Sequence, residues 1–393
     1  MKTPQLIPVA CLLFLAVPFL NAAPPSASKT PSAAAHAALW AGKTDLSKKE
    51  NIPVLPSTRS VVNQTRQGEF QFTLGADIIF HDGEFIAQWA NSKVDENDPD
   101  TLVRASRSKD GVNWSALEVV APDFDGPGYH SHGVFLASNG ELWSFNPQIQ
   151  QMPTPLGRYR GLKMDAFLWN KQAGAWQPKG KVCENFWPLN RPIRLSNGNW
   201  LVAGGANEGN VVVAAVAISK GDDLSHWKPV KIPHPAGYDT SASKYTWGET
   251  SVFAEGNQLI AIVRNPSGKH ALYAVSNDNG ETWSTLAESN IPMGNSKALA
   301  GTLADGRHYL IYNYPTRDTL IVAFTAPGSA QFTQAYRIID EKSHAPRWKG
   351  DGKKPQWAYP NATEHDGKLY IVYSVSKEDT GMTVVDVSPS AKP

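Results

Sequence analysis

Cysteine is scarce in this chain: of the two present, Cys11 falls within an apolar N-terminal stretch and only Cys183 lies in the body. Without Cys11 no internal disulfide can form, so stability must come from core burial, and Cys183 reads as a small buried hydrophobe. Charge of one sign is lacking as well, since 37 Lys and Arg against 36 Asp and Glu leave a net +1. A polyanion needs clustered excess Lys and Arg, so no nucleic-acid partner is expected and any recognition of negative charge must be local. Beyond Leu20 no run approaches the twenty or so apolar residues of a membrane-spanning helix, so no membrane insertion is expected. Stretches of helical period are few, and nothing points to a nucleotide or flavin site, so no cofactor is expected.

What is present begins with a positive charge at Lys2, an apolar core from Leu6 to Leu20 and a small-residue exit at Asn21-Ala22-Ala23. This is the pattern of a secretory signal peptide over residues 1–23 and predicts a secreted or periplasmic protein. Residues 24–38, rich in Pro, Ser, Ala and Lys, carry too little apolar surface to order and read as a flexible leader. Residues 39–393 are then expected to form a single domain. Thirteen Trp and twelve Tyr fit an all-β chain with aromatic surfaces suited to sugar stacking and to core packing.

A tight-turn motif, Asp, Asn or Gly beside Gly and flanked by apolar strand residues, occurs six times, around Gly83, Gly140, Gly198, Gly256, Gly306 and Gly367. These glycines fall 57, 58, 58, 50 and 61 residues apart, a period that fits one four-stranded propeller blade. A second motif runs out of phase with the first. Ser108-Lys109-Asp110-Gly111-Val112-Asn113-Trp114 and Ser276-Asn277-Asp278-Asn279-Gly280-Glu281-Thr282-Trp283 are Asp-boxes, with degenerate copies ending at Trp176, Trp227 and Phe332. Each reads as a turn between a blade's third and fourth strands, with Asp and Ser bonding the turn backbone while the aromatic packs between blades. After the sixth hairpin the chain supplies only two further strands. Ser60 to Gln64 is therefore predicted to complete that blade as its outer strand, closing a six-bladed β-propeller.

In such a ring, residues seven to ten before each hairpin glycine, and eight to twelve after it, share the top face near the axis. This rule collects His130, His132, Arg191, Glu249, Lys297 and Tyr359 from the first strands, and Asp95, Arg264 and Arg317 from the returns. Ionisable groups converging on one mouth point to chemistry there, although structural ion pairs could account for any one of them. The pair His130 and His132 lacks a third ligand for a metal, so no metal is expected.

These residues resemble the sialidase (neuraminidase) superfamily over about Phe70 to Val387. Gly248-Glu249-Thr250-Ser251-Val252 followed by Ile262-Val263-Arg264-Asn265 is similar to the family's glutamate and one member of its arginine triad. Tyr312-Asn313-Tyr314-Pro315-Thr316-Arg317 resembles the segment with another triad arginine, and Ala358-Tyr359-Pro360-Asn361 the one with the nucleophilic tyrosine. Lys93-Val94-Asp95-Glu96 sits where the family places its acid/base aspartate. The resemblance thus implies Tyr359, Glu249 and Asp95 as catalytic residues, with Arg264 and Arg317 on a substrate carboxylate. The chain departs from the family at the first triad arginine, where it reads Phe72-Thr73-Leu74-Gly75-Ala76. Arg191 or Lys297 is expected to compensate.

Chemistry alone supports the same assignment. Cleaving a glycosidic bond needs an acid for the leaving oxygen and a nucleophile or base on the other face. Tyrosine, with a reference pKa near ~10, attacks only if a carboxylate takes its proton, and Glu249 is placed to do so. The expected activity is therefore release of an acidic sugar, sialic, ulosonic or uronic, from a glycan. Two alternatives stay open: a polysaccharide lyase using Tyr129-His130-Ser131-His132 and Arg158-Tyr159-Arg160 on uronic-acid glycans, and a non-catalytic glycan-binding propeller.

Overall fold

The hairpin glycines turn the chain as their sequence demands. In Asp82-Gly83, Asn139-Gly140 and Asp366-Gly367 both central residues adopt positive φ, from 48° to 83°, the backbone twist that matches two right-twisted strands. The computed structural model describes residues 38–96, 98–123, 128–150, 159–235, 248–266 and 269–388. The expected signal peptide, and all of the leader but its last residue, lie outside the described residues.

Six antiparallel sheets follow one another along the chain. Blade one comprises Phe72–His81, Glu84–Ser92, Leu102–Ser108 and Glu118–Ala121. Blade two comprises Tyr129–His130 and Val134–Ser138, then Glu141–Ile149, Lys163–Asn170 and Ala175–Glu184. Blade three has a similarly interrupted first strand, Trp187–Pro188 and Ile193–Arg194, before Trp200–Glu208, Val211–Lys220 and Asp223–Lys231. Blade four is Thr250–Glu255, Gln258–Val263, His270–Ser276 and Ala287–Pro292; blade five is Leu299–Thr302, His308–Asn313, Thr319–Thr325 and Phe332–Asp340. Blade six takes Trp357–His365, Lys368–Val375 and Asp379–Asp386 from the C-terminal end and Ser57–Asn63 from the N-terminal end. The fold is a six-bladed β-propeller, and the only helix among the described residues is the 3-10 turn Lys49–Asn51.

Closure occurs as the repeat count predicts, with Ser60 opposite Met382. The strand begins at Ser57, three residues earlier than expected, and its register shifts between Val61 and Asn63, so Gln64 lies beyond it. One feature escaped the sequence. Residues 39–55 strap blade five, with Trp40 bridging Phe332 and Val54 bridging Arg337, because Leu39, Leu46 and Ile52 bury themselves between blades four and five.

Each junction between neighbouring blades is filled by its own apolar cluster, and the Asp-box aromatics supply the large side chains. Trp176 packs between blades one and two, Trp227 between two and three, Trp283 between three and four, and Phe332 between four and five. The box turn holds the ring in place: Asp278 Oδ1 accepts from Thr282 N at 2.9 Å and Ser276 Oγ at 2.8 Å, while Trp283 Nε1 donates to Gly280 O at 3.0 Å. Cys183 is buried between blades two and three, and burial pushes its thiol up to about 12. Among the described residues no helix is long and apolar enough to cross a membrane.

Candidate active site

Two β-bulges at the start of adjoining first strands shape the top face. In blade one the register skips between Leu74 and Asp77, and in blade six between Ala358 and Asn361, so that two residues oppose one on each partner strand. The left-handed bulge position belongs to Gly75 in blade one, with φ 64°, and to Tyr359 in blade six, with φ 61°. Glycine adopts that conformation freely, whereas a residue with a Cβ is strained there by roughly 1–2 kcal/mol. Blade six therefore accepts strain to aim a tyrosine where blade one uses the residue that fits.

The aimed hydroxyl meets a carboxylate. Glu249 enters from blade four, one residue ahead of Thr250–Glu255. Gly248 before it lets the backbone pass Val213, whose carbonyl oxygen would stand 2.1 Å from an added Cβ. Tyr359 Oη donates to Glu249 Oε1. Arg264, just past the return strand of the same blade, donates from Nη1 to Glu249 Oε2 at 2.8 Å and lies 3.4 Å from Tyr359 Oη. Burial pushes the Tyr359 phenol well above its ordinary value, and Glu249 pushes it further, against the opposing charge of Arg264. For Glu249, burial acts upward, but the charge of Arg264, the hydrogen bonds from Tyr359 and Arg264, and Arg317 outweigh it and hold the carboxyl below the usual range. The resting pair is thus a neutral phenol donating to a carboxylate.

Arg264 and Arg317 share one cleft of about 550 Å³ with Asn295, Gln356 and Lys377. Their guanidinium groups are oriented by neighbours: Arg264 Nε donates to Asn295 Oδ1 at 2.6 Å, and Arg317 donates to Gln356 Oε1 at 2.8 Å and Asn295 O at 3.0 Å. Arg317 also lies 5.6 Å from the centroid of the Tyr359 ring. His132 packs edge-on against that ring, 5.8 Å between centroids. Burial, with the charge of Lys297, lowers His132 to about 3.

The geometry sets four of the expected site residues apart from the Tyr359–Glu249 couple and its arginines. Asp95 turns outward, its Oδ1 accepting from Asp351 N at 2.5 Å, because the strand end places its neighbour Glu96 toward the axis. Glu96 lines the pocket bordered by Glu249, Tyr359 and His132. His130, two residues from His132, has its ring nitrogens at 2.9 Å from Pro122 O, just past the last strand of blade one, and 3.3 Å from Asp165 Oδ2 in its own blade. Arg191 reaches across the axis to Ala362 O and Thr363 Oγ1, with Nε 3.8 Å from the buried Asp77; it does not line the cleft of Arg264 and Arg317. Lys297 is 1% exposed and donates to Pro360 O at 3.0 Å and Asn361 Oδ1 at 3.2 Å, directly behind Tyr359. Removal from water lowers its ammonium to about 8. It braces the strained bulge and does not face the cleft.

Sequence reasoning also missed Lys377, which lines the cleft from the turn joining the second and third strands of blade six. Only its turn geometry could have shown it. Among the described residues no group of three His, Cys, Asp or Glu is placed to hold a metal. Arg158, part of the lyase motif, lies outside the described residues.

This bulged, Asp-boxed propeller with a ring of ionisable residues is a sialidase-like architecture. The BNR repeat-like domain family matches residues 83–371, and the chain belongs to it. No curated protein sequence matches the chain. Among solved structures, a protein of unknown function from Dyadobacter fermentans superposes with TM-score 0.66 at 16% identity, covering 86% of this chain and 100% of that one. A sialidase gives 0.61 at 17% identity, over 88% of this chain and 35% of its own. Trypanosoma rangeli sialidase in complex with sialic acid gives 0.63 at 14% identity, over 86% and 60%. The chain thus spans about a third and three fifths of these two sialidase chains, and the likeness is one of fold.

Proposed function

We propose that this protein is a glycoside hydrolase that releases an acidic sugar from a glycan, with Tyr359 as nucleophile and Glu249 as its base. The observation that carries the reading is the Tyr359–Glu249 hydrogen bond at a bulge where tyrosine sits in a strained left-handed conformation. Strain of this kind persists where the surrounding structure over-determines it, and it concentrates at functional sites. In the first step Tyr359 Oη bonds the anomeric carbon and its proton passes to Glu249, while the glycosidic oxygen leaves with a proton from an acid on the other face. Water then displaces the tyrosyl oxygen, Glu249 returns the proton, and the configuration is retained overall. A phenol approaches an anionic sugar without the repulsion a carboxylate nucleophile would meet, and Arg264 and Arg317 offer planar donors to the sugar's carboxylate.

The acid is assigned to Glu96 in place of Asp95, since Glu96 borders the same pocket as the couple. The signal-peptide pattern of residues 1–23 supports a reading in which the enzyme acts on extracellular or periplasmic glycans.

The test is turnover of aryl glycosides of sialic, ulosonic and uronic acids by wild type, Tyr359→Phe, Glu249→Gln and the double variant. Each single variant should lose at least about a thousandfold in kcat, about 4 kcal/mol on the barrier. The double variant should lose little more, because groups acting as one unit are not additive. Turnover by Tyr359→Phe within about tenfold of wild type refutes the nucleophile assignment.

A further inference from the structure

Resting on the reading above, we propose that Lys377 is the third cation of the carboxylate-binding cleft and a determinant of preference for acidic over neutral sugars. The compensating cations expected from sequence are both committed to backbone carbonyls of blade six, Arg191 across the axis and Lys297 from the neighbouring blade five. Lys377 instead lines the cleft beside Arg264 and Arg317. It is 6% exposed, and its ammonium lies 5.7 Å from the Phe72 ring centroid.

The local backbone shows that this lysine is held there at a cost. Val375 and Glu378 close a tight turn through Glu378 N to Val375 O at 2.9 Å. Its two central residues, Ser376 and Lys377, have φ 56° and 57°. Such a turn favours Asn-Gly, since both positions are left-handed. Neither residue here is of that kind. The strain is sustained by a surrounding mesh: Ser376 Oγ donates to His344 O at 2.6 Å, and Glu378 accepts from the backbone N–H groups of Arg347 and Trp348 at 3.0 Å each. Lys377 O accepts from Thr73 N at 3.0 Å. That bond seats the turn over the Phe72–Ala76 stretch, which contains no basic residue.

The ammonium has three protons to donate. One engages Glu96 Oε2, and among the described residues no other hydrogen-bond acceptor is recorded for it. An ammonium is a compact point charge without the planar fork of a guanidinium, so it suits one oxygen of a carboxylate already gripped by the two arginines. Its link to Glu96 also ties the anion cleft to the pocket beside Tyr359.

The experiment is calorimetric binding of the methyl glycosides of N-acetylneuraminic acid and D-glucuronic acid, each compared with its neutral methyl ester. Wild type, Lys377→Met, Lys377→Arg and Lys377→Gly are measured, with thermal unfolding of each; glycine suits the turn and guards against a variant that fails to fold. The preference for acid over ester should fall roughly ten- to a hundredfold in the Met and Gly variants and recover largely in the Arg variant. Equal losses for acid and ester, or an unchanged preference in Met and Gly while Arg264→Ala and Arg317→Ala abolish it, overturn the role of Lys377 alone. If wild type shows no preference for either acid, the carboxylate cleft itself is refuted, and with it the acidic substrate.

Discussion

His132 offers a measurement of whether the site holds a histidine neutral by burial. Its Nε2 is buried with no hydrogen-bond partner among the described residues, and burial lowers the ring to about 3 from an ordinary 6.5. A group whose folded pKa is depressed binds fewer protons in the folded than in the unfolded chain between those two values. Stability from this source is therefore fully present above pH 6.5 and is lost as pH falls toward 3. Between pH 6.5 and 5 the integrated loss is about 1.6 kcal/mol, from about 1.36 kcal/mol per pH unit once the unfolded histidine is mostly charged. With an unfolding entropy of about 2.1 cal/mol/K per residue over roughly 330 ordered residues, that corresponds to about 2 °C in Tm. The assay is Tm of wild type and His132→Gln at pH 6.5 and 5, the variant correcting for every other titrating group. The difference between the two proteins should shift by about 2 °C against wild type on acidification. A constant difference would show that His132 titrates alike in both states, and a shift in the opposite sense that it is charged in the fold. Either result would refute the burial of His132 as a neutral ring and put its pKa nearer the operating pH, where an acid–base group works best.

Glu96→Gln should cost at least about a hundredfold in kcat on substrates with poor leaving groups and much less on activated aryl glycosides, while Asp95→Asn stays within a few-fold on both; the reverse order would return the acid role to Asp95. Gly75→Ala places a Cβ 2.1 Å from the His132 ring at φ 64° and should destabilise by roughly 2 kcal/mol or more, seen as a lower Tm together with weakened turnover. Asp278→Ala removes the acceptor of three bonds within its Asp-box and should lower stability by about 1–3 kcal/mol without altering kcat, because the box lies at the turn between the outer strands of blade four.

Much of the architecture is local in origin and could be read along the chain. The six glycine hairpins and the Asp-box turns are each settled within a few residues by φ preference and by side chains bonding their own backbone. Counting them yields the blade number, and the shortfall in blade six requires an N-terminal strand to close the ring. The partners Glu249, Arg264, Arg317 and Tyr359 were legible too, because their strand-end positions follow from distance to a hairpin. What periodicity cannot show is which way a side chain turns once a strand ends or bulges. Asp95 and Glu96 are adjacent, and only the fold shows that the first accepts from Asp351 N while the second lines the pocket. Arg191 and Lys297 sit at first-strand starts as expected, yet ring closure brings the carbonyls of blade six within reach of both, and cations withdrawn partly or wholly from water take the nearest acceptors. The left-handed Tyr359 and Lys377 are likewise invisible in sequence, since neither residue type favours that conformation. Hairpins and blade count are short-range and belong to the sequence; the aim of a charged side chain can depend on a residue 281 positions away, as for Lys377 and Glu96, and was decided only when the ring closed.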